Sequence, residues 1–353
     1  MFFVKKILSG AVAMMMMLGC FLTGCGSSID SGEDNNPKPK KIKSADINIA
    51  VILKSQNADY WDYVIKGAQD AADEIGCKVY FTAPELETMP EKQIEMINEA
   101  VANKVTAIVA APINWQQASP LKDASAADIP VVLIDSDCTG FNAECFIATD
   151  SEEAGRMAAR EAAKLLNNDE DGLGGTCGII AHTLGTDTAG ARFEGFSREL
   201  KDQYAAEMVS EPIENKINIC GSEFCDSDYD KAKERTLVLL ERHPDIDLLY
   251  CTNETVSRGA LDAVKEAGLA GKIKIIGFDS SDEMIAAVND GTMNGFLVQN
   301  PYQMGYLGVT NAASMIRGES VSSSIDTGVT YVTKENVNNG EIQHILNPLK
   351  TDS

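Results

Sequence analysis

Short apolar runs alternate along most of this chain with longer stretches whose apolar residues recur every three or four positions. Ile47-Asn48-Ile49-Ala50-Val51-Ile52-Leu53 predicts a strand; over 60–75, Val64, Ala68, Ala71, Ala72 and Ile75 share one face of a helix that Gly76 ends. Strands are expected at 78–81, 106–110, 131–134 and 146–148. Between them fall helices at 91–103, with Ile94, Ile97 and Val101 inward, and at 116–127. Thr149-Asp150-Ser151 caps a further helix reaching Leu166. A loop rich in Asn, Asp and Gly over 167–175 opens a second series. Its strands are expected at 177–181, 208–209 extended toward Ile213, 248–251 and 273–278, and its helices at 192–202, 229–242, 255–267 and 282–288. A strand at 295–298, a helix at 301–316 and an extended tail over 325–332 complete the pattern. Strands separated by helices of this length require right-handed βαβ units and parallel sheets, so the fold class is α/β, with the second half repeating the first in kind.

Two strands carry more information than the others. Ile129-Pro130-Val131-Val132-Leu133-Ile134 runs into Asp135-Ser136-Asp137, and Ile273-Lys274-Ile275-Ile276-Gly277-Phe278 runs into Asp279-Ser280-Ser281-Asp282. Continuous apolar runs are buried on both faces of a parallel sheet, and ligands of open α/β sheets bind outside the carboxyl ends of the strands. Two such ends predict two sheets facing one site. The helix at 301–316 is placed to return to the first lobe and the tail to cross back, giving several strands between lobes.

The N-terminus changes the picture of where this body works. Lys5 and Lys6 precede an apolar run from Ile7 to Leu22, too short for a comfortable membrane span, which ends in Leu22-Thr23-Gly24-Cys25. This tetrad resembles the bacterial lipobox, with Cys25 the residue that receives lipid; Leu18-Gly19-Cys20 is a weaker rival. Residues 26–44 hold Ser, Gly, Asp, Asn, Pro and Lys with almost nothing to bury, which predicts a disordered tether with a mean reach of about 25 Å. The remaining length suits two lobes better than one. A net charge of -23 argues against nucleic acid and anionic lipid surfaces as partners. Beyond the lipobox stand Cys77, Cys138, Cys145, Cys177, Cys220, Cys225 and Cys251, with no CxxC and no His at metal-ligand spacing, so no metal and no cofactor are expected. In an exported chain Cys138 with Cys145, or Cys220 with Cys225, are near enough in sequence for disulfides.

Tyr60-Trp61 opens a helix with adjacent aromatics, which serve either packing or stacking on the apolar face of a sugar ring. Asp135, Asp137 and Asp279 are candidate acceptors for ligand hydroxyls, the bland alternative being that each caps the following helix. Asn253-Glu254 ends one strand, Arg192 follows the polar loop 185–191, and Gln299 sits where a crossover is expected. His182, alone in an apolar strand context, reads as structural. No nucleophile–base constellation stands out, and Gly172-Leu173-Gly174-Gly175 lies on the wrong side of a strand for a dinucleotide fingerprint, so an enzyme is not expected.

Over about 47–332 the chain resembles sugar-type bacterial substrate-binding proteins of the ribose and galactose class, the exported receptors of ABC importers. The resemblance is carried by Tyr60-Trp61 with Gly67-Ala68-Gln69, Ile134-Asp135, Arg192-Phe193-Glu194-Gly195-Phe196, Asn253-Glu254 with Gly259-Ala260-Leu261, Gly277-Phe278-Asp279 and Gln299. It implies two Rossmann-like lobes joined by three hinge strands near Asp150, Gln299 and Val329, closing on a small ligand. On that basis 1–24 is the signal peptide, 25–45 the lipidated tether, 46–150 plus 300–328 one lobe and 151–299 plus 329–349 the other. Family ligand positions correspond to Tyr60, Trp61, Asp135, Arg192, Phe224 on the loop after Gly221, Asn253, Asp279 and Gln299. The resemblance further implies a lipid-anchored monomer outside the cytoplasmic membrane that delivers its ligand to an ABC permease. A receptor presenting ligand to a membrane sensor kinase is the alternative. Ala58, Ala111 and Ser136 stand where ribose binders carry two Asn and an Arg, and unpaired hydroxyls at such a site are discriminated by up to about 10⁴-fold. The departures argue against ribose and leave another sugar, a polyol or a furanosyl signal, with Asp137, Asn57 or Asp59 as replacement polarity.

Overall fold

In the computed structural model the described residues are 42–168, 172–207 and 217–350. The signal segment, Cys25, nearly all of the tether and the strand expected at 208–213 lie outside them. In chain order the strands are β1 Asn48–Ile52, β2 Lys78–Thr82, β3 Ala107–Ala110, β4 Val131–Ile134, β5 Cys145–Ala148, β6 Asn167–Asn168, β7 Gly172–Leu173, β8 Gly175–Ala181, β9 Ile217–Phe224, β10 Leu248–Cys251, β11 Lys274–Phe278, β12 Gly295–Val298, β13 Ser324–Asp326 and β14 Thr330–Val332. The helices are α1 Asp59–Ile75, α2 Pro90–Ala102, α3 Ala118–Ala126, α4 Ser151–Leu166, α5 Asp187–Glu207, α6 Tyr229–Arg242, α7 Glu254–Glu266, α8 Asp282–Asp290, α9 Pro301–Ile316 and α10 Gly340–Leu346.

Two six-stranded sheets result, ordered β13-β5-β4-β3-β1-β2 and β14-β12-β11-β10-β8-β9. Every pairing in them is parallel except β12 with β14. The two orders match strand for strand, each reversing direction beside its first strand, which opens a crevice at the carboxyl ends. Central strands β3, β4, β10 and β12 are buried at every position, as their uninterrupted apolar runs demand. Helices cover both faces of each sheet. In the first, α1 and α9 seal one face, with Val64, Ala68 and Ala312, and α2 and α3 the other, with Ile97 and Leu121. In the second, α4 and α5 seal one face and α6, α7 and α8 the other.

Glycines set how closely the covering helices lie. A Cβ on Gly67 would come 1.9 Å from the Tyr302 carbonyl oxygen, and one on Gly305 would come 2.0 Å from that of Val64. In the second lobe Gly155 meets the Arg192 carbonyl at 2.3 Å and Gly195 that of Glu152 at 2.1 Å. Backbones touch there, so α1 and α5 are each fixed against a neighbour, and both carry site residues.

The chain passes between sheets three times: from β5 to α4, from β12 to α9 and from β13 to β14. The first and third passages are tied where Thr149 Oγ1 donates to the Gly328 carbonyl at 2.9 Å.

Several expectations are corrected. The helix expected from Arg192 begins at Asp187, and the one expected over 116–127 is a 3-10 turn, Trp115–Gln117, followed by α3. On α2, Ile97 points inward with Gln93 and Ala100, while Ile94 and Val101 are half-buried. Gln93 clips two strand ends together, donating to the carbonyls of Leu53 and Ala111 and accepting from Ile113 N–H at 2.8–2.9 Å. β9, an edge strand, was not foreseen. All seven cysteines among the described residues are free thiols, so neither close pair is bridged; the Cys138 thiol donates to the Asn114 carbonyl instead. Among the described residues no helix is long and apolar enough to cross a membrane.

Candidate functional site

The carboxyl ends of the two sheets face one cavity lined by residues of both. Each sheet brings to it a strand-terminal aspartate in a left-handed backbone conformation, Asp135 at φ 64° after β4 and Asp279 at φ 60° after β11. Asp is among the few residues that tolerate this region. Their N–H groups still belong to the sheets, bonding to the Ile147 and Leu297 carbonyls. The turn swings the carboxylate out of the ladder and into the crevice. Neither caps a helix, so the bland alternative fails for both.

Asp135 is held by Lys54, which follows β1 and is 2% exposed. Nζ lies 2.6 Å from Asp135 Oδ2 and also donates to Ser136 Oγ. The Tyr60 hydroxyl donates to Asp135 Oδ1 at 2.8 Å. Burial by itself pushes the Asp135 carboxyl up, but Lys54, Arg192 and the Tyr60 hydroxyl together bring it below its ordinary value. Lys54 thus provides a cation beside Ser136, where the resemblance leads one to expect an arginine. The Tyr60 hydroxyl is in turn raised well above its ordinary pKa, first by burial and then by Asp135. The rings of Tyr60 and Trp61 meet edge to face, centroids 4.9 Å apart at 87°, and both form cavity wall and core at once.

Across the cavity Gln299 Nε2 donates to Asp279 Oδ1 at 2.9 Å. Burial pushes the Asp279 carboxyl up to about 6, against the pull of Arg192 and Gln299. Arg192, 3% exposed, donates to the Thr252 carbonyl at 2.7 Å and lies 3.7 Å from the centroid of the Phe278 ring. Its Nε is buried with no protein partner. Asn253 caps α7, accepting from Val256 N–H, and donates to Ser227 Oγ. His182 lines the cavity, its ring nitrogens 2.7 and 3.2 Å from the Thr252 and Thr188 hydroxyls. Burial, Arg192 and Lys54 lower its pKa well below the usual range, so it is neutral.

Bonds also run from one lobe to the other. Glu87, on the loop after β2, accepts from Ser227 Oγ at 2.6 Å and Thr183 Oγ1 at 3.1 Å, and Asn57 Nδ2 donates to the Ser227 carbonyl. The cavity is therefore enclosed by both halves.

Of the residues singled out from sequence, Tyr60, Trp61, Asp135, Arg192, Asn253, Asp279 and Gln299 converge on this cavity. Two do not. Asp137 is exposed, accepts from Cys138 N–H and faces a neighbouring cavity with Asp187. Phe224 is the last residue of β9 rather than part of a loop, and packs on Phe193 at 6.4 Å. Of the three suggested replacements for missing polarity, Asn57 lines the cavity, and Asp59 and Asp137 do not. Lys54, Glu87, Ser227 and Glu254 were not proposed. Lys54 follows the apolar run Ile49-Ala50-Val51-Ile52-Leu53, and Glu254 stands beside Asn253; nothing local marks Glu87.

With the geometry in place, the comparisons with known proteins agree. The periplasmic binding protein domain matches residues 49–320. The ribose import binding protein of Escherichia coli is 26% identical over 288 residues, 81% of this chain and 90% of the relative. The D-allose-binding periplasmic protein of the same organism is 27% identical over 268 residues, 74% and 81% of the two chains. Among solved structures, a carbohydrate transporter solute-binding protein from Agrobacterium radiobacter in complex with D-arabinose superposes with a TM-score of 0.78 at 30% identity. The match covers 85% of this chain and 99% of that one. An ABC transporter solute-binding protein from Agrobacterium vitis with bound D-fucose gives 0.77 at 31% identity, with the same coverage.

Proposed function

Because the chain belongs to the periplasmic binding protein domain family, we propose that it captures a small neutral sugar between two closing lobes outside the cytoplasmic membrane and delivers it to an ABC importer without chemical turnover. The observation that carries this reading is the pair of buried, left-handed aspartates, one per sheet, each beside a cation and facing two aromatic rings in a single cavity. Charged hydrogen bonds of about 1.5–3 kcal/mol fix ring hydroxyls, and an aromatic wall accepts the apolar C–H face. The lobes are 46–150 plus 300–328 and 151–299 plus 329–349, and the hinge is the three passages near Asp150, Gln299 and Val329. Lys54 makes up for one cation missing relative to ribose binders, but Ala58 and Ala111 leave two amides missing, so the preferred hydroxyl pattern is not that of ribose. Lipid on Cys25 holds the body at the membrane as a monomer.

Calorimetric titration with D-arabinose, D-fucose, D-allose and D-ribose tests the reading. Saturable one-to-one binding of at least one sugar, with ribose weaker, is expected, and a sugar at 100 times its dissociation constant should add about 2.7 kcal/mol of stability. No binding across the panel and a wider set of monosaccharides, or conversion of the bound sugar over repeated cycles, would overturn it.

A further inference from the structure

One carboxylate ties together the ends of three neighbouring strands in the opposite sheet. Glu87, on the loop between β2 and α2, is 8% exposed. Its Oε2 accepts from two hydroxyls, Ser227 Oγ at 2.6 Å, beyond β9, and Thr183 Oγ1 at 3.1 Å, beyond β8. A hydroxyl has one proton to donate. With that of Ser227 directed at Glu87, the Ser227 oxygen is left to accept, and it does so from Asn253 Nδ2 at 3.2 Å, beyond β10. Asn253 Oδ1 meanwhile accepts from Val256 N–H at 3.1 Å. The amide is thereby held at both ends, its oxygen on the start of α7 and one Nδ2 proton left over. Glu87, Ser227 and Asn253 all line the cavity.

The turn that carries Ser227 needs this hold. Asp226 and Ser227 have φ 55° and 51°, two successive left-handed residues of which neither is glycine, and such conformations persist where surrounding contacts impose them. Their own sheet supplies part of the restraint, since Asp226 N–H donates to the His182 carbonyl at 3.0 Å. The other side of the cleft supplies the rest: Glu87 takes the Ser227 hydroxyl, and Asn57 Nδ2 donates to the Ser227 carbonyl at 3.2 Å.

We propose that Glu87 is a positioning residue for ligand binding: from across the cleft it fixes, through Ser227, the Asn253 amide as a donor to the bound sugar. A side chain of the same sheet would aim Asn253 whether the cleft were open or shut. One supplied by the other lobe makes that aim part of closure, and a ligand that uses the Asn253 donor then favours the closed form over the open one. The role rests on the sugar-binding reading for its ligand; the bonds across the cleft do not need it.

The test uses the whole protein with three substitutions. Glu87→Leu keeps the bulk and removes the acceptor, Glu87→Gln puts an amide oxygen in the place of Oε2, and Ser227→Ala removes the link. For whichever of D-arabinose, D-fucose, D-allose or D-ribose binds, Glu87→Leu should weaken affinity about ten- to a hundredfold, mostly through faster release. Glu87→Gln should recover most of that loss. Glu87→Leu combined with Ser227→Ala should bind no more weakly than the worse single variant, because both break one path. A merely structural role would not move the side-chain amide NMR signal of Asn253, which should shift in Glu87→Leu and return toward its wild-type position in Glu87→Gln. Wild-type affinity in Glu87→Leu, or losses that add in the double variant, overturns the proposal. Failure of all four sugars to bind counts against the sugar reading and leaves the Asn253 signal of the ligand-free protein to decide: a signal unmoved by Glu87→Leu overturns the role of Glu87.

Discussion

Asp279 is both a buried acceptor in the cavity wall of the second lobe and a source of instability. Its pKa is raised from 3.8 to about 6, so the folded protein favours the protonated form: the contribution to stability is fully present below about 3.8 and lost as pH rises through about 6. Above that, the buried carboxylate costs on the order of 2–3 kcal/mol. Asp279→Asn keeps the acceptor for Gln299 and a residue type that accepts positive φ. It should stabilise the ligand-free protein by about 2 kcal/mol at pH 7.5, much less at pH 4.5, and weaken sugar binding. Denaturant unfolding at the two pH values checks this; an equal gain at both would show that the carboxylate's charge is not the cause. Residues of this kind were legible because an acid after a buried strand has a clear physical use. Lys54 was not, since a lysine at a strand end reads as solvated until Asp135, 81 positions away, is known to lie within 2.6 Å of it. Glu87 is hidden for the same reason: its partners Thr183 and Ser227 lie on loops that follow strands of the other sheet.

Among the elements, those with a pure period gave themselves away. The bounds expected for α6, β10, β12 and α9 coincide with those observed. β9 did not, because Ile217-Asn218-Ile219-Cys220-Gly221-Ser222-Glu223-Phe224 is a half-exposed edge strand whose register shifts between Cys177 and Gly178 on its neighbour, and no continuous apolar run marks it. The start of α5 was masked by Gly185 and Gly190, which look like loop residues before the helix is seen. The helix-to-helix glycines explain other features of the sequence, for small residues are needed where backbones touch. Gly305→Ala would place a Cβ against the Val64 carbonyl at 2.0 Å. It should cost about 1–3 kcal/mol and shift α1, and with it Tyr60 and Trp61. A drop in midpoint denaturant concentration with an unchanged slope is expected. A variant as stable as wild type would mean that α1 and α9 separate easily.

For the whole molecule the expectation is movement about three chain passages. Glu87 and Asn57 bond across the cleft, and those bonds exist only while the lobes are together. Small-angle scattering of free and sugar-saturated protein should show a smaller radius of gyration on saturation, and no change with a tightly bound sugar would rule out closure. Cys25→Ser should release the body into the medium or leave it uncleaved; lipid still attached to the mutant would move the anchor to Cys20. The parallel two-lobe plan was legible because helix and strand periods alternate twice. Which strand joins which sheet was less so: β13 and β14 are three residues each, and only their pairing shows that one joins β5 and the other β12.

That interleaving has a consequence for how the chain is made. The first sheet lacks β13, and its α1 face lacks α9, until residues 301–326 exist; the second sheet lacks β14 until residue 332. A ribosome must therefore deliver almost the entire polypeptide before either hydrophobic core can be sealed. A chain threaded unfolded across a membrane would gain from this delay, since neither sheet is complete before its last strand is made.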